Sequence, residues 1–278
     1  MPSHEPGPPV AVTTADPAIA RVLQITDPHL MADEHATLLG VRTRDSLRAV
    51  VRAAQARQPV TDLLLATGDV SQDGSEEAYH EFARQVAGFD CVQSWVAGNH
   101  DNSATLNRVA AGYNAAGRHF LVGGWQVVML DSSVRGQVYG QLGEPELKLL
   151  ESTLSAFPDH PALVCLHHHP IPIDATWMNA IGLHNRDQFW QVIERFPQVR
   201  AILWGHVHQE LDQYRDDVRL LSTPSTCIQF EVGSKDFSVE PLAPGFRWLD
   251  LHADGTLETG VVRATKFQYD LDINSNGY

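Results

Sequence analysis

The chain is short of positive charge. Its 278 residues hold 20 Lys and Arg against 34 Asp and Glu, a formal charge of −14 with histidine neutral. A surface of that sign repels the backbones of DNA and RNA, so general nucleic-acid binding is excluded. Long hydrophobic runs are missing too. No apolar stretch nears the ~20 residues needed to span a bilayer, so no membrane partner is expected. The N-terminus lacks the charged start and apolar centre of a secretory signal and carries Pro2, Pro6, Pro8, Pro9 and Pro17 instead. Residues 1–20 therefore read as a mobile leader, and 21–278 as one domain. Cysteine is scarce. Cys91, Cys165 and Cys227 share no ligand spacing, so they read as buried reduced thiols and fit a cytoplasmic protein.

What the chain does have is a repeated juxtaposition. Five times a short apolar run stops at a cluster of Asp, Asn or His. Val22–Ile25 meets Asp27-Pro28-His29, and Leu63–Leu65 meets Gly68-Asp69. Trp95-Val96 leads to Gly98-Asn99-His100-Asp101, Leu163–Leu166 to His167-His168-His169, and Ile202–Trp204 to Gly205-His206-Val207-His208. Apolar runs of this length bounded by Gly and polar residues read as buried strands. In an open α/β sheet, ligands bind beyond the strand C-termini. Five ligand-rich strand ends point to a metal site.

Around these runs strands and helices alternate. A helix is expected over Thr43–Arg57, closed by Pro59, and another after Asp73, which with Glu76 resembles a capping box. Gly88 ends that second helix, and Val92–Val96 follows as a strand. This β-α-β-α-β order predicts a parallel sheet. Gly123-Gly124 between two apolar runs predicts a hairpin. A helix over Pro145–Phe157, a strand over Ala162–Leu166, a helix capped by Asn185 and a strand-rich last third complete the pattern. The expected fold is α/β, two β-sheets packed face to face and flanked by helices.

The donor set, carboxylate, amide and imidazole without thiolate, suits Fe or Mn, with Zn also compatible. The seven candidate ligands, Asp27, His29, Asp69, Asn99, one of His167–His169, His206 and His208, exceed the needs of one ion. Two divalent ions sharing the Asp69 carboxylate, about 3.5–4 Å apart, are the economical reading, with one carboxylate oxygen facing each ion. Two ions, two carboxylates and a bridging hydroxide leave the centre near +1, which matches a phosphodiester. That hydroxide would attack phosphorus in line. His167, directly after its strand, is the preferred ligand of its triplet, and His169 is expected to face solvent or a loop. His4, His35, His80, His119, His160 and His252 read as structural or solvated. The long, Pro-interrupted stretch Ile171–Arg186 is expected to overhang the metals, with Trp177 against a nucleoside.

The succession D-x-H, G-D, G-N-H-D, H and G-H-x-H resembles the calcineurin-like metallophosphoesterase superfamily, with all five blocks in order. Leu23–Asp27, Ala66–Asp69, Leu166–Pro170, Gly205–Asp212, Thr223–Cys227 and Leu251–Leu257 resemble its class III bacterial 3′,5′-cyclic-AMP phosphodiesterases. The resemblance implies a four-layer αββα sandwich and a cyclic-nucleotide substrate. It implies that Asp27, His29, Asp69 and His208 hold one ion, and Asp69, Asn99, His167 and His206 the other. His100 would contact the phosphate and protonate or stabilise the leaving 3′-oxygen, with Asp101 orienting His100. The phosphate is expected against His29, Asp69, Asn99, His100, His167 and His208. A phosphodiesterase of wider range, including 2′,3′-cyclic nucleotides, and a non-catalytic scaffold on the same fold are the alternatives.

Overall fold

The computed structural model describes residues 8–275 and Gly277. Along the chain run β1 (Val10–Val12), β2 (Ile19–Ile25), a two-residue ribbon of β3 (Thr37–Leu38) and β4 (Val41–Arg42), then α1 (Thr43–Arg57). Next come β5 (Leu63–Thr67), α2 (Glu76–Val86), β6 (Val92–Val96) and α3 (Ser103–Gly112). The hairpin of β7 (His119–Val122) and β8 (Trp125–Met129) precedes α4 (Glu144–Ala156), β9 (Ala162–Leu166), α5 (Arg186–Ile193) and β10 (Val199–Trp204). β11 (Leu211–Arg215), β12 (Val218–Ser222), the short β13 (Gln229–Phe230) and β14 (Val239–Glu240), and β15 (Gly245–His252) with β16 (Leu257–Arg263) follow.

Two sheets result. The five-stranded sheet has the order β16-β15-β2-β5-β6 and the seven-stranded one β1-β7-β8-β9-β10-β12-β11. β2, β5 and β6 are parallel, as are β8, β9 and β10. Every residue of β5 and of β9 is buried, as expected for parallel strands covered on both faces. Val22, Leu63, Leu65 and Leu249 of one sheet pack with Met129, Leu163, Cys165 and Leu203 of the other to form the layer between them. α1, α2 and α3 cover the outer face of the five-stranded sheet, and α4 and α5 that of the seven-stranded one. The expected αββα layering is present.

Three local expectations are corrected. The residues read as leader include a strand: Val10–Val12 pairs in parallel with Phe120–Val122, an association more than a hundred residues away that no local pattern signals. Asp73 does not cap α2. The residue before that helix is Ser75, and the Asp73 carboxylate accepts from the Ser75 amide and the Ser71 hydroxyl, closing a turn instead. Asn185 precedes α5 but does not cap it through its side chain; that side chain bonds both backbone groups of Leu142 and so ties α5 to α4's approach.

Candidate metal centre

All five ligand-rich clusters follow strand C-termini, and the two sheets bring them to one place. β2 presents Asp27 and His29, β5 presents Asp69, and β6 presents Asn99 and His100; β9 presents His167, and β10 presents His206 and His208. Groups from Asp27, His29 and His208, from His29, Asp69 and His100, and from Asp27, Asp69 and His167 each lie within 4.8 Å of one another. These three groups overlap through His29, Asp27 and Asp69, as two adjacent ions would require.

The backbone at these positions is unusual. Asp27, His29, Asp69, His206 and His208 all have positive φ, between 46° and 65°. Left-handed backbone is uncommon outside glycine and costs about 1–3 kcal/mol where it is strained. Five such residues in one cleft mark a place where side-chain direction outweighs local comfort. Two motif glycines make the close approach work. Gly68 has φ +103°, and a Cβ there would overlap the His167 ring; a Cβ at Gly205 would overlap the Thr26 hydroxyl and the Asp27 carboxylate.

Main-chain carbonyls set the imidazole tautomers. His167 Nδ1 donates to Thr67 O at 2.8 Å, His208 Nδ1 to Ile228 O at 3.0 Å, and His206 Nε2 to Ile181 O at 3.0 Å. His29 Nδ1 bonds Gln72 Oε1 at 2.7 Å. In its neutral form each ring turns a lone pair from its other nitrogen into the cleft, the usual way a metal-binding imidazole is oriented. His29 Nε2 and His208 Nε2 stand 3.2 Å apart. Two lone pairs at that separation need a positive charge between or beside them, so the donor set fits divalent cations.

The carboxylates complete the centre. Asp27 Oδ1 is 3.3 Å from His208 Nε2, and both its oxygens accept the His206 amide. Asp69 Oδ1 accepts the His100 amide at 2.8 Å. Its Oδ2 faces inward, 3.3 Å from His167 Nε2 and 3.9 Å from His29 Nε2. Asp69 Oδ2 thus stands between the two imidazoles. Asn99 Oδ1 lies 3.3 Å from His167 Nε2, adding a neutral donor.

Burial alone would raise the pKa of both carboxyls, yet the surrounding imidazoles hold Asp27 below its ordinary value and Asp69 well below it. Burial drives His29 down to about 3 and His206 well below the usual imidazole range. Burial also opposes charge on His167, but the Asp69 carboxylate outweighs it and lifts that ring to about 9. A proton on His167 neutralises Asp69, and metal binding would release that proton.

Two expectations at the site change. His169 does not face solvent; it is buried and stacks on His206 with centroids 5.7 Å apart. His168 is also buried and bonds Ser132 Oγ through Nδ1. Asp101, expected to orient the His100 ring, bonds the backbone instead: its carboxylate accepts from the amides of Val70, Ser71 and Gly98. It braces the β5 and β6 loops that carry Asp69 and His100. The His100 ring stands edge-on to His29 at 5.1 Å.

The Ile171–Arg186 stretch does overhang the centre. Its 3₁₀ turn, Thr176–Ala180, brings Trp177 to a cavity of about 270 Å³ floored by Asp69, Asn99, His100 and His206. The Trp177 ring packs edge-on against Phe230 at 5.1 Å and Phe237 at 5.5 Å, and Phe230 stacks flat on His208 at 4.3 Å. Two supports carry no sequence signal of their own. Gln72 holds His29, and Ser225 Oγ donates to Asp27 O at 2.7 Å. Gln72 lies three residues after Asp69, and Ser225 sits inside Thr223–Cys227, so proximity to the motifs is the one hint at either.

A two-sheet sandwich with carboxylates and imidazoles gathered at its strand ends defines a metal-dependent phosphoesterase. Residues 20–210 match the calcineurin-like phosphoesterase family, and the chain belongs to that family. It is 44% identical over 266 residues to "3',5'-cyclic adenosine monophosphate phosphodiesterase CpdA" of Pseudomonas aeruginosa, covering 96% of this chain and 98% of that protein. The protein of the same name in Escherichia coli K12 is 43% identical, with 95% and 97% covered. A Nostoc "3',5'-cyclic-nucleotide phosphodiesterase" is 38% identical, with 87% and 91% covered. Among solved structures, a dimetal phosphatase from Danio rerio shares the fold at TM-score 0.58 and 13% identity, covering 89% of this chain and 99% of that one. Among the described residues no helix is long and apolar enough to cross a membrane.

Proposed function

We propose that the chain is a binuclear-metal phosphodiesterase that hydrolyses 3′,5′-cyclic AMP to 5′-AMP and lowers the cytoplasmic level of that nucleotide. The observation that carries the reading is near-full-length likeness, at 44% identity, to a protein named for this activity. Asp27, His29, Asp69 and His208 hold one divalent ion and Asp69, Asn99, His167 and His206 the other, with Asp69 shared. Iron and manganese suit this mixture of imidazole and hard oxygen donors, and zinc is compatible. Two ions held there would supply acidity toward a water and positive charge to offset that of the phosphate.

The chain's own residues do the rest. Asp69 is kept ionised by the imidazoles around it. The phosphate lies over His29, Asn99, His167 and His208, and its leaving side faces His100. As the bond from phosphorus to O3′ breaks, His100 gives its proton to that oxygen, and the attacking water loses one. The sum is addition of one water across one ester bond. Trp177 offers its face to the purine and keeps bulk water from the reacting phosphorus.

The test couples metal analysis of the purified protein to parallel turnover of 3′,5′- and 2′,3′-cyclic AMP with Mn²⁺ present. Two ions per chain and faster hydrolysis of the 3′,5′ isomer are expected. A single ion, or a preference for the 2′,3′ isomer, would overturn the reading.

A further inference from the structure

Beyond β16 the described residues carry no helix or strand, yet they are held at several points. The Ala264 amide donates to Pro244 O at 2.8 Å and the Phe267 amide to Ala264 O at 2.9 Å. Phe267 packs against the outer cores of both sheets, and Tyr269 and Leu271 against that of the seven-stranded one. The Tyr269 hydroxyl donates to Leu242 O at 2.7 Å. The Asp272 amide donates to Leu39 O at 3.0 Å, and the Asp270 carbonyl presses so closely on Gly40 that a Cβ there would overlap it. At the far end Gly277 lines the catalytic cavity together with Trp177 and Phe237. A segment that leaves the edge of the five-stranded sheet thus ends as part of the wall around Asp69, Asn99 and His100.

We infer that residues 264–275 together with Gly277 form a strap that closes one side of the catalytic cavity and restricts the enzyme to compact phosphodiesters. The inference rests on the reading of the site as a phosphodiesterase and deepens it by naming what selects the substrate. The cavity, about 270 Å³, lies at or below the low end for small-molecule sites. A 3′,5′-cyclic phosphodiester carries one nucleoside, which that space and the Trp177 side can receive. A linear diester carries a second nucleoside on the other ester oxygen, and that group must leave the cavity past the wall. The described part of the strap holds by a few hydrogen bonds and three apolar side chains, Phe267, Tyr269 and Leu271.

The experiment compares the full chain with one ending at Tyr269, reading kcat/KM for 3′,5′-cyclic AMP, for bis(p-nitrophenyl) phosphate and for a linear adenylyl dinucleotide. Metal content and the unfolding midpoint are measured alongside. The ratio of dinucleotide to cyclic AMP turnover is expected to rise about tenfold or more on truncation, with metal content retained. Asp272→Pro, which removes the amide that bonds Leu39 while keeping the chain entire, is expected to move the ratio in the same direction by less, and decides the matter should the shortened chain fail to fold. An unchanged ratio in a folded, metal-loaded variant would overturn the strap. A full chain inactive on cyclic AMP would instead overturn the cyclic-nucleotide reading, and the ratio of dinucleotide to bis(p-nitrophenyl) phosphate turnover would still decide the strap.

Discussion

The two sheets make unequal contributions to the centre. Of the proposed ligands, the five-stranded sheet carries the oxygen donors Asp27, Asp69 and Asn99 together with His29, with His100 beside them. The seven-stranded sheet supplies imidazoles alone, His167, His206 and His208. Each half is fastened by the other. His167 is oriented by the carbonyl of Thr67 from the opposite sheet, and the His206 amide donates to the Asp27 carboxylate. The site is therefore a joint between sheets, and its geometry depends on how they pack as much as on either set of loops.

The largest expected effect comes from removing the atom that serves both halves. Asp69→Ala should reduce kcat by about a thousandfold or more, roughly 4 kcal/mol, and reduce bound metal below two ions per chain. A variant that kept two ions and near-parental turnover would show that the halves do not share Asp69. His100→Ala, on the oxygen-donor side, should lower kcat by about 10²–10⁴-fold with metal content unchanged. The loss should shrink for p-nitrophenyl esters, whose leaving group needs no proton. Equal losses on both substrates would remove His100 from the role of proton donor.

Gln72→Ala tests whether orientation from outside the ligand ring counts. It should weaken one ion by about 10–100-fold, read by metal titration, and leave the other bound. The smallest effect concerns a histidine of the seven-stranded sheet with no place at the centre. Burial lowers the pKa of His119 from the ordinary 6.5. As pH falls through that ordinary value the unfolded chain binds a proton that the folded chain does not, so stability drops on the acid side. His119→Gln should flatten that part of the stability curve, followed by urea denaturation between pH 7 and pH 5, and leave kcat unaltered. A change in kcat with no change in the pH dependence of stability would contradict this separation of the two roles.

Much of the sheet frame is legible in the residues themselves. Leu63–Thr67 and Ala162–Leu166 are nearly unbroken apolar runs because both faces of a parallel strand are buried, and the polar clusters that follow stand out against them. β1 is not legible, since three residues acquire strand identity only by pairing with Phe120–Val122. The Asp73 and Glu76 spacing matches a cap, but the Asp73 carboxylate finds nearer partners in Ser71 and Ser75. His169 follows two buried histidines and still belongs inside, because the loop from Ile171 onward folds back over the site and its Leu183 amide bonds the His169 carbonyl.

Sequence by itself determined the donor types, their order and their position just past buried strands, because strand burial and loop polarity are written in neighbouring residues. Tertiary structure alone decided which nitrogen of each imidazole faces the cleft, which oxygen of Asp69 lies toward His29 and His167, and that Asp101 braces loops. Those choices are made by the carbonyls of Thr67, Ile181 and Ile228 and the amides of Val70, Ser71, Gly98 and His100. Main-chain groups are the same at every residue, so only their arrival in space distinguishes them.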